Sequence, residues 1–253
     1  MSAIVLVLLA GVGAGALNAV GGGGTFVALP ALVAAGLPPV TANAAATVAL
    51  VPGSLSSAWV YRPDVRPVGS TSTRALTAAS MGGGAVGAVL LLALPAASFE
   101  VAVPWLLAFA TVVLAFGRSA LRAVSGALGR PLGLSPRAVL VWQFFLSVYG
   151  GYFGGAVGIL MLAVWSIGVG VDPAAGNPTR VTQVAAVYVA ATVLFLFASD
   201  VAQAPLLPAV MLVGAVIGGV AGAQVARRLP ARVLRGVVLG TAVTMTVVYF
   251  LLG

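Results

Sequence analysis

The chain has no cysteine, no histidine and no lysine, and its 253 residues include only four acids, Asp64, Glu100, Asp172 and Asp200. Without cysteine there are no disulfides and no thiolate chemistry; without histidine there are no imidazole metal ligands and no imidazole proton relays. The missing lysine excludes a P-loop and any Schiff base. All twelve positive charges are therefore arginines, and the formal net charge is +8. The scattered acids form no catalytic pair, so an intramembrane protease or transferase lacks its usual bases. The composition points to no metal, no cofactor and no enzyme.

Charge of either sign is scarce. Charged residues make up 6% of the chain and hydrophobic ones 61%, with a mean hydropathy of +1.17. A water-facing surface needs far more charge than this. Apolar stretches of roughly 20 residues, the length that crosses a bilayer, recur from end to end. The expected fold class is therefore an all-α polytopic integral membrane protein. The opening "MSAIVLVLLAGVGAGALNAV" has no basic residue before its apolar run and reads as a first membrane helix rather than a cleaved signal. In a soluble chain +8 would suggest nucleic acid; here it reads as topology, with no nucleic-acid partner.

Apolar runs and their breaks give ten segments, at 2–20, 25–36, 43–61, 74–94, 101–117, 137–152, 157–171, 178–199, 205–226 and 233–252. Arginines cluster in three connections, at Arg62, Arg66 and Arg74, at Arg118, Arg122, Arg130 and Arg137, and at Arg227, Arg228, Arg232 and Arg235. The connections 95–100 and 199–205 contain none. The positive-inside rule makes the three clusters cytoplasmic and places both termini outside.

Shifting the sequence on itself by 134 positions pairs Gly21 with Gly155, Gly24 with Gly158, Gly36 with Gly170, Pro39 with Pro173 and Asn43 with Asn177. Two of the chain's three asparagines thus coincide. Basic connections fall on charge-poor ones, so equivalent loops lie on opposite faces. The expectation is an inverted-topology repeat of two five-segment halves with eight to ten membrane segments, as in many secondary transporters. Residues 1–120 form the first repeat, 121–136 a basic cytoplasmic connection and 137–253 the second repeat, all in one membrane domain.

The second segment of each half is too short to span, so "GLPPVTAN" (36–43) and "GVDPAAGN" (170–177) are expected as recessed loops. Irregular backbone at that depth lines a cavity or packs in protein, and broken helices aim N-terminal N–H groups at it. Asn43 and Asn177, where the third and eighth segments begin, read either as helix caps or as ligand amides. Arg180 reads either as a snorkelling cytoplasmic arginine or as the countercharge of an anion. The stretches 11–15, 82–87 and 214–222 carry small residues four apart and read as helix-packing faces. Asp172 is the one acid in a recessed loop and the candidate for ion coupling.

"VGGGGTFVALPALVAAGLPPVTANAAAT" and "GGYFGGAVGILMLAVWSIGVGVDPAAGNPTRVTQ" resemble the paired signatures of the sulfite exporter TauE/SafE family, over nearly the whole chain. The second half departs from the first at Val157, where a glycine is matched, and at Asp172, where a proline is. The resemblance implies a permease of small oxyanions, sulfite or organosulfonates such as sulfoacetate, working as an exporter in the cell membrane. The expected mechanism is alternating access about a midplane site built from Gly22, Gly23, Gly24, Thr25, Thr41, Asn43, Gly155, Gly158, Asn177, Thr179, Arg180 and Gln183. An anion channel, or a carrier of small carboxylates or of another substrate class, remains the alternative. Expected partners are a small anionic substrate and the lipid bilayer, with self-association open.

Overall fold

The computed structural model describes residues 3–21, 24–202, 205–226 and 231–252. Ten α-helices run through them: α1 (Ala3–Gly21), α2 (Thr25–Ala34), α3 (Pro39–Tyr61), α4 (Thr73–Ala93), α5 (Ala96–Leu128), α6 (Pro136–Tyr152), α7 (Val157–Val169), α8 (Pro173–Ala198), α9 (Leu206–Ala226) and α10 (Ala231–Leu252). No strand occurs among the described residues; Val68 and Thr71 form one isolated bridge. Each apolar run of the sequence coincides with one helix.

Four stretches among the described residues are long and apolar enough to cross a membrane: Pro39–Asp64, Thr73–Ala93, Ala96–Gly117 and Pro173–Ala198. Two helices are far too short to span. Thr25–Ala34 and Val157–Val169 have 10 and 13 residues, about 15 and 20 Å at 1.5 Å per residue, against roughly 30 Å of hydrocarbon. Large apolar side chains such as Trp105, Phe116, Phe145 and Phe197 stand on the outside, while Phe26, Phe153, Trp165, Tyr188 and Phe195 fill the centre. An outer surface of this kind is stable against lipid tails and not against water. The chain is a multi-pass membrane protein.

Two helix starts differ from expectation. The helices after the breaks begin at Pro39 and Pro173, so most of 36–43 and 170–177 is helical and only short turns remain. A proline is pre-set for the first helical position, where its absent N–H is not needed. Asn43 and Asn177 therefore lie one turn inside α3 and α8 and cap neither; Pro38 occupies the cap position of α3, and the Asp172 carboxylate caps α8 by accepting from the N–H groups of Ala174 and Ala175 at 3.0 and 2.9 Å. The 121–136 connection also begins as helix, because α5 continues to Leu128 before Gly129 ends it at φ +62°.

The small-residue stretches are packing faces. On α1, Gly11 lies against Gly214 and Gly15 against Ala215 of α9, while Gly218 lies against Val12, so closely that a Cβ at Gly11 would come within 2.5 Å of the Met211 carbonyl and 3.1 Å of Gly214 Cα. Between α4 and α6, a Cβ at Gly151 would fall 2.9 Å from Gly84 Cα, and one at Gly87 would fall 2.7 Å from the Tyr152 nitrogen. Backbones this near gain dispersion energy that lipid cannot replace. Around the first seam α1, α2, α3 and α9 pack together with α10 on α2; around the second α6, α7, α8 and α4 pack together with α5 on α7. The two groups meet chiefly along α3 with α8 and α5 with α10.

Candidate functional site

The chain between α6 and α7 takes an unusual path. Gly154 has φ +86°, and Ala156 has φ +59°, the one positive value at a non-glycine among the described residues. A left-handed alanine costs roughly 1–2 kcal/mol, and strain of this kind gathers where backbone is held for a purpose. Ala156 sits immediately before α7 and no side chain caps that helix. The first N–H groups of α7 and its positive dipole end thus point into this region without a side-chain acceptor.

Three side chains from other helices converge on the same short stretch. Asn43 of α3 is fully buried and donates from Nδ2 to the Tyr152 carbonyl at 2.9 Å. Tyr188 of α8 donates its hydroxyl to the Gly154 carbonyl at 3.4 Å, close to Thr25 at the start of α2. Arg180 of α8 lies along the first turn of α7: a Cβ at Gly158 would meet its Nη1 at 2.8 Å and its Cδ at 3.0 Å. The guanidinium is oriented by Asn177, whose Oδ1 accepts from Arg180 Nε at 3.0 Å. Glycine at 158 is what lets the guanidinium lie beside the helix end. Asn43 Oδ1 is buried with no hydrogen-bond partner, a state that costs about 1–3 kcal/mol.

The other expected site residues are placed differently. Gly22 and Gly23 lie outside the described residues. Gly24 is buried where a Cβ would fall 2.7 Å from the Ala14 carbonyl, packing the first break against α1. Gly155 has the Phe153 ring 2.6 Å from the position of a Cβ. Thr41 is half-buried in the first turn of α3. Thr179 points to the connection after α3, where its hydroxyl donates to the Arg66 carbonyl at 2.7 Å and accepts from the Arg66 N–H at 3.0 Å. Asp172 is exposed at the start of α8 and engaged in capping it.

Gln183 belongs to a buried network that ties α8 to α4 and α6. Ser80 donates to Gln183 Oε1 at 2.9 Å, Gln183 Nε2 donates to Thr77 at 3.2 Å, and Gln143 Nε2 donates to Ser80 at 2.8 Å. The sequence reading missed Tyr188, Tyr152, Gln143 and Ser80. One signal was present for Tyr188: under the 134-residue shift it falls on Ser54, which accepts from Asn18 at 3.3 Å and so ties α3 to the end of α1.

The arrangement offers donors and one fixed positive charge around an uncapped helix start, the chemistry of an anion site. Among the described residues no three His, Cys, Asp or Glu side chains gather as a metal site would need. No curated protein and no solved structure matches the chain. The family described as Sulfite exporter TauE/SafE matches residues 7–249. With nearly the whole sequence covered, the chain belongs to the sulfite exporter TauE/SafE family of membrane transporters.

Proposed function

We propose that the protein carries sulfite or a related small organosulfonate out of the cell across the cell membrane by alternating access, the anion sitting between α3 and α8 against the start of α7. The observation that carries this reading is Arg180, held by Asn177 beside Gly158 at a helix N-terminus that no side chain caps. A guanidinium presents several N–H donors in one plane, which suits a compact head with oxygens on several sides. Tyr188 holds the Gly154 carbonyl beside the same helix start.

The inverted repeat is supported by how the helices pair. Under the 134-residue shift α1 corresponds to α6 and α4 to α9, so the α1–α9 seam is the counterpart of the α6–α4 seam. The pairs α2–α3 and α7–α8, and α10–α2 and α5–α7, correspond likewise. Each seam joins one helix from each half, so the halves 1–120 and 137–253 cannot rock as units without tearing both. The bodies that move are α1–α3 with α9 and α10, and α4–α8. The arginine distribution supports external termini for both ends.

Flux into proteoliposomes tests the assignment. Arg180→Gln should reduce saturable sulfite uptake at least tenfold while the variant purifies as a folded protein, because the loss of the single charge removes the main attraction for the anion. Uptake at the wild-type rate by Arg180→Gln would remove Arg180 from the site.

A further inference from the structure

We infer that the site selects a singly protonated oxyanion, with Asn43 Oδ1 accepting the hydrogen bond of the ligand's remaining O–H. This rests on the site proposed above and narrows its substrate to hydrogensulfite and acids of the same form, a negative head that still carries one proton.

Two independent observations converge. Asn43 is fully buried, its Nδ2 is committed to the Tyr152 carbonyl at 2.9 Å, and its Oδ1 has no partner. Exchanging the two amide atoms would set two carbonyl oxygens against each other, so the orientation is fixed by the Tyr152 contact. What Asn43 leaves over is an acceptor, and an acceptor is satisfied only by a donor. A fully deprotonated oxyanion has none and would place its own oxygens against Oδ1. The Tyr188 hydroxyl and the Asn43 amide nitrogen are already engaged.

The second observation is the charge count. Arg180 is the only basic residue between Arg137 and Arg227 in the sequence, and α1, α2 and α3 contain none. One guanidinium balances a monoanion; a dianion would bring an uncompensated charge into a low-dielectric crossing.

The composition makes this readable in solution. The ionisable groups on the elements packed around Asn43 are Tyr61 of α3, Arg180 and Tyr188 of α8, Arg137, Tyr149 and Tyr152 of α6, Glu100, Arg118 and Arg122 of α5, Arg62, Asp64 and Arg66 after α3, and Asp200 after α8. No histidine or cysteine exists in the chain, so no side chain ordinarily titrates between about pH 5.5 and 8. A change of affinity in that window is a change of the ligand.

The experiment is isothermal titration of the purified full chain with sulfite and with methanesulfinate at half-unit steps from pH 5.5 to 8.5. Methanesulfinate keeps one negative charge but has a methyl group where hydrogensulfite has a hydroxyl. The expected result is sulfite binding that weakens about tenfold per pH unit above the ligand's second ionisation, while methanesulfinate binds at least tenfold more weakly at pH 5.5 and does not vary. Asn43→Ala should bring the two ligands to equal affinity at pH 5.5. If that variant does not fold, the wild-type profile and the ligand pair decide. Sulfite affinity that stays constant or rises through its second ionisation overturns this inference and leaves the transport reading standing. Absence of binding by both anions at every pH overturns both.

Discussion

A disulfide between α5 and α10 should stop transport, and the geometry for making one is already present. Thr111 of α5 and Thr246 of α10 face each other with their hydroxyl oxygens 2.9 Å apart. Replacing both with cysteine puts two larger sulfurs, on longer bonds, at those positions, close to the S–S bonding distance of about 2.04 Å. The chain contains no other thiol to compete. Thr111 belongs to the body built on α4–α8 and Thr246 to the body built on α1–α3 with α9 and α10, so the bond would join the two across a surface that alternating access has to shear. A cross-linked molecule is confined to one conformation and contributes no net flux; if nine molecules in ten are oxidised, uptake should fall to about one-tenth. The assay is sulfite uptake into proteoliposomes before and after a reductant, with the oxidised fraction read from gel mobility after cleavage between the two positions. Full recovery on reduction separates locking from damage. Undiminished uptake in a fully oxidised sample would refute the division into these two bodies.

Two smaller perturbations address parts that hold the protein together without holding the anion. Gly15→Ala places a methyl group over the Ala215 carbonyl of α9; overpacking of this kind costs typically 1–3 kcal/mol, so thermal unfolding should move to lower temperature while sulfite affinity of the folded fraction is unchanged. Asp172→Ala removes the cap of α8, worth about 1 kcal/mol, and should lower stability modestly with saturable uptake retained; complete loss of uptake in a stable variant would return Asp172 to a role in ion coupling.

The breaks were legible because glycine runs and prolines interrupt apolar segments too short to span, and every segment marked on that basis is a helix. The packing faces were legible for a related reason, since small residues four apart lie on one side of a helix and have few uses in lipid besides close approach. Reading was poorest where a local rule met a competing one. Asn43 and Asn177 look like caps because asparagine favours that position, but Pro39 and Pro173 start their helices four residues earlier. Arg118 and Arg122 end the apolar run at 117, yet arginine is a good helix former, so α5 continues to Leu128. Tyr188 in an apolar run reads as core, and it is core: its ring is buried and only its hydroxyl reaches the break. Ser80, Gln143 and Gln183 are 40 to 103 residues apart along the chain and fall on different helices, so no spacing rule could join them.

The emptiness of the sequence in acids and bases bears on energetics as well as on specificity. A carrier that couples to protons through its own side chains needs a group that titrates inside the membrane, and here the acids stand at helix ends: Asp172 caps α8, and Asp64, Glu100 and Asp200 are exposed. If the anion crosses with its own proton, no such group is needed, because each turnover moves one proton with each negative charge pair that the ligand would carry when fully ionised. Arg180 then meets a monoanion at one face and releases it at the other, and the pair it forms is neutral throughout. A neutral pair crosses the interior at far lower cost than an unpaired ion. On this account Asn43 does in neutral form what a buried carboxylate would do elsewhere: it ensures that the proton travels, by accepting the bond that only the protonated ligand can donate.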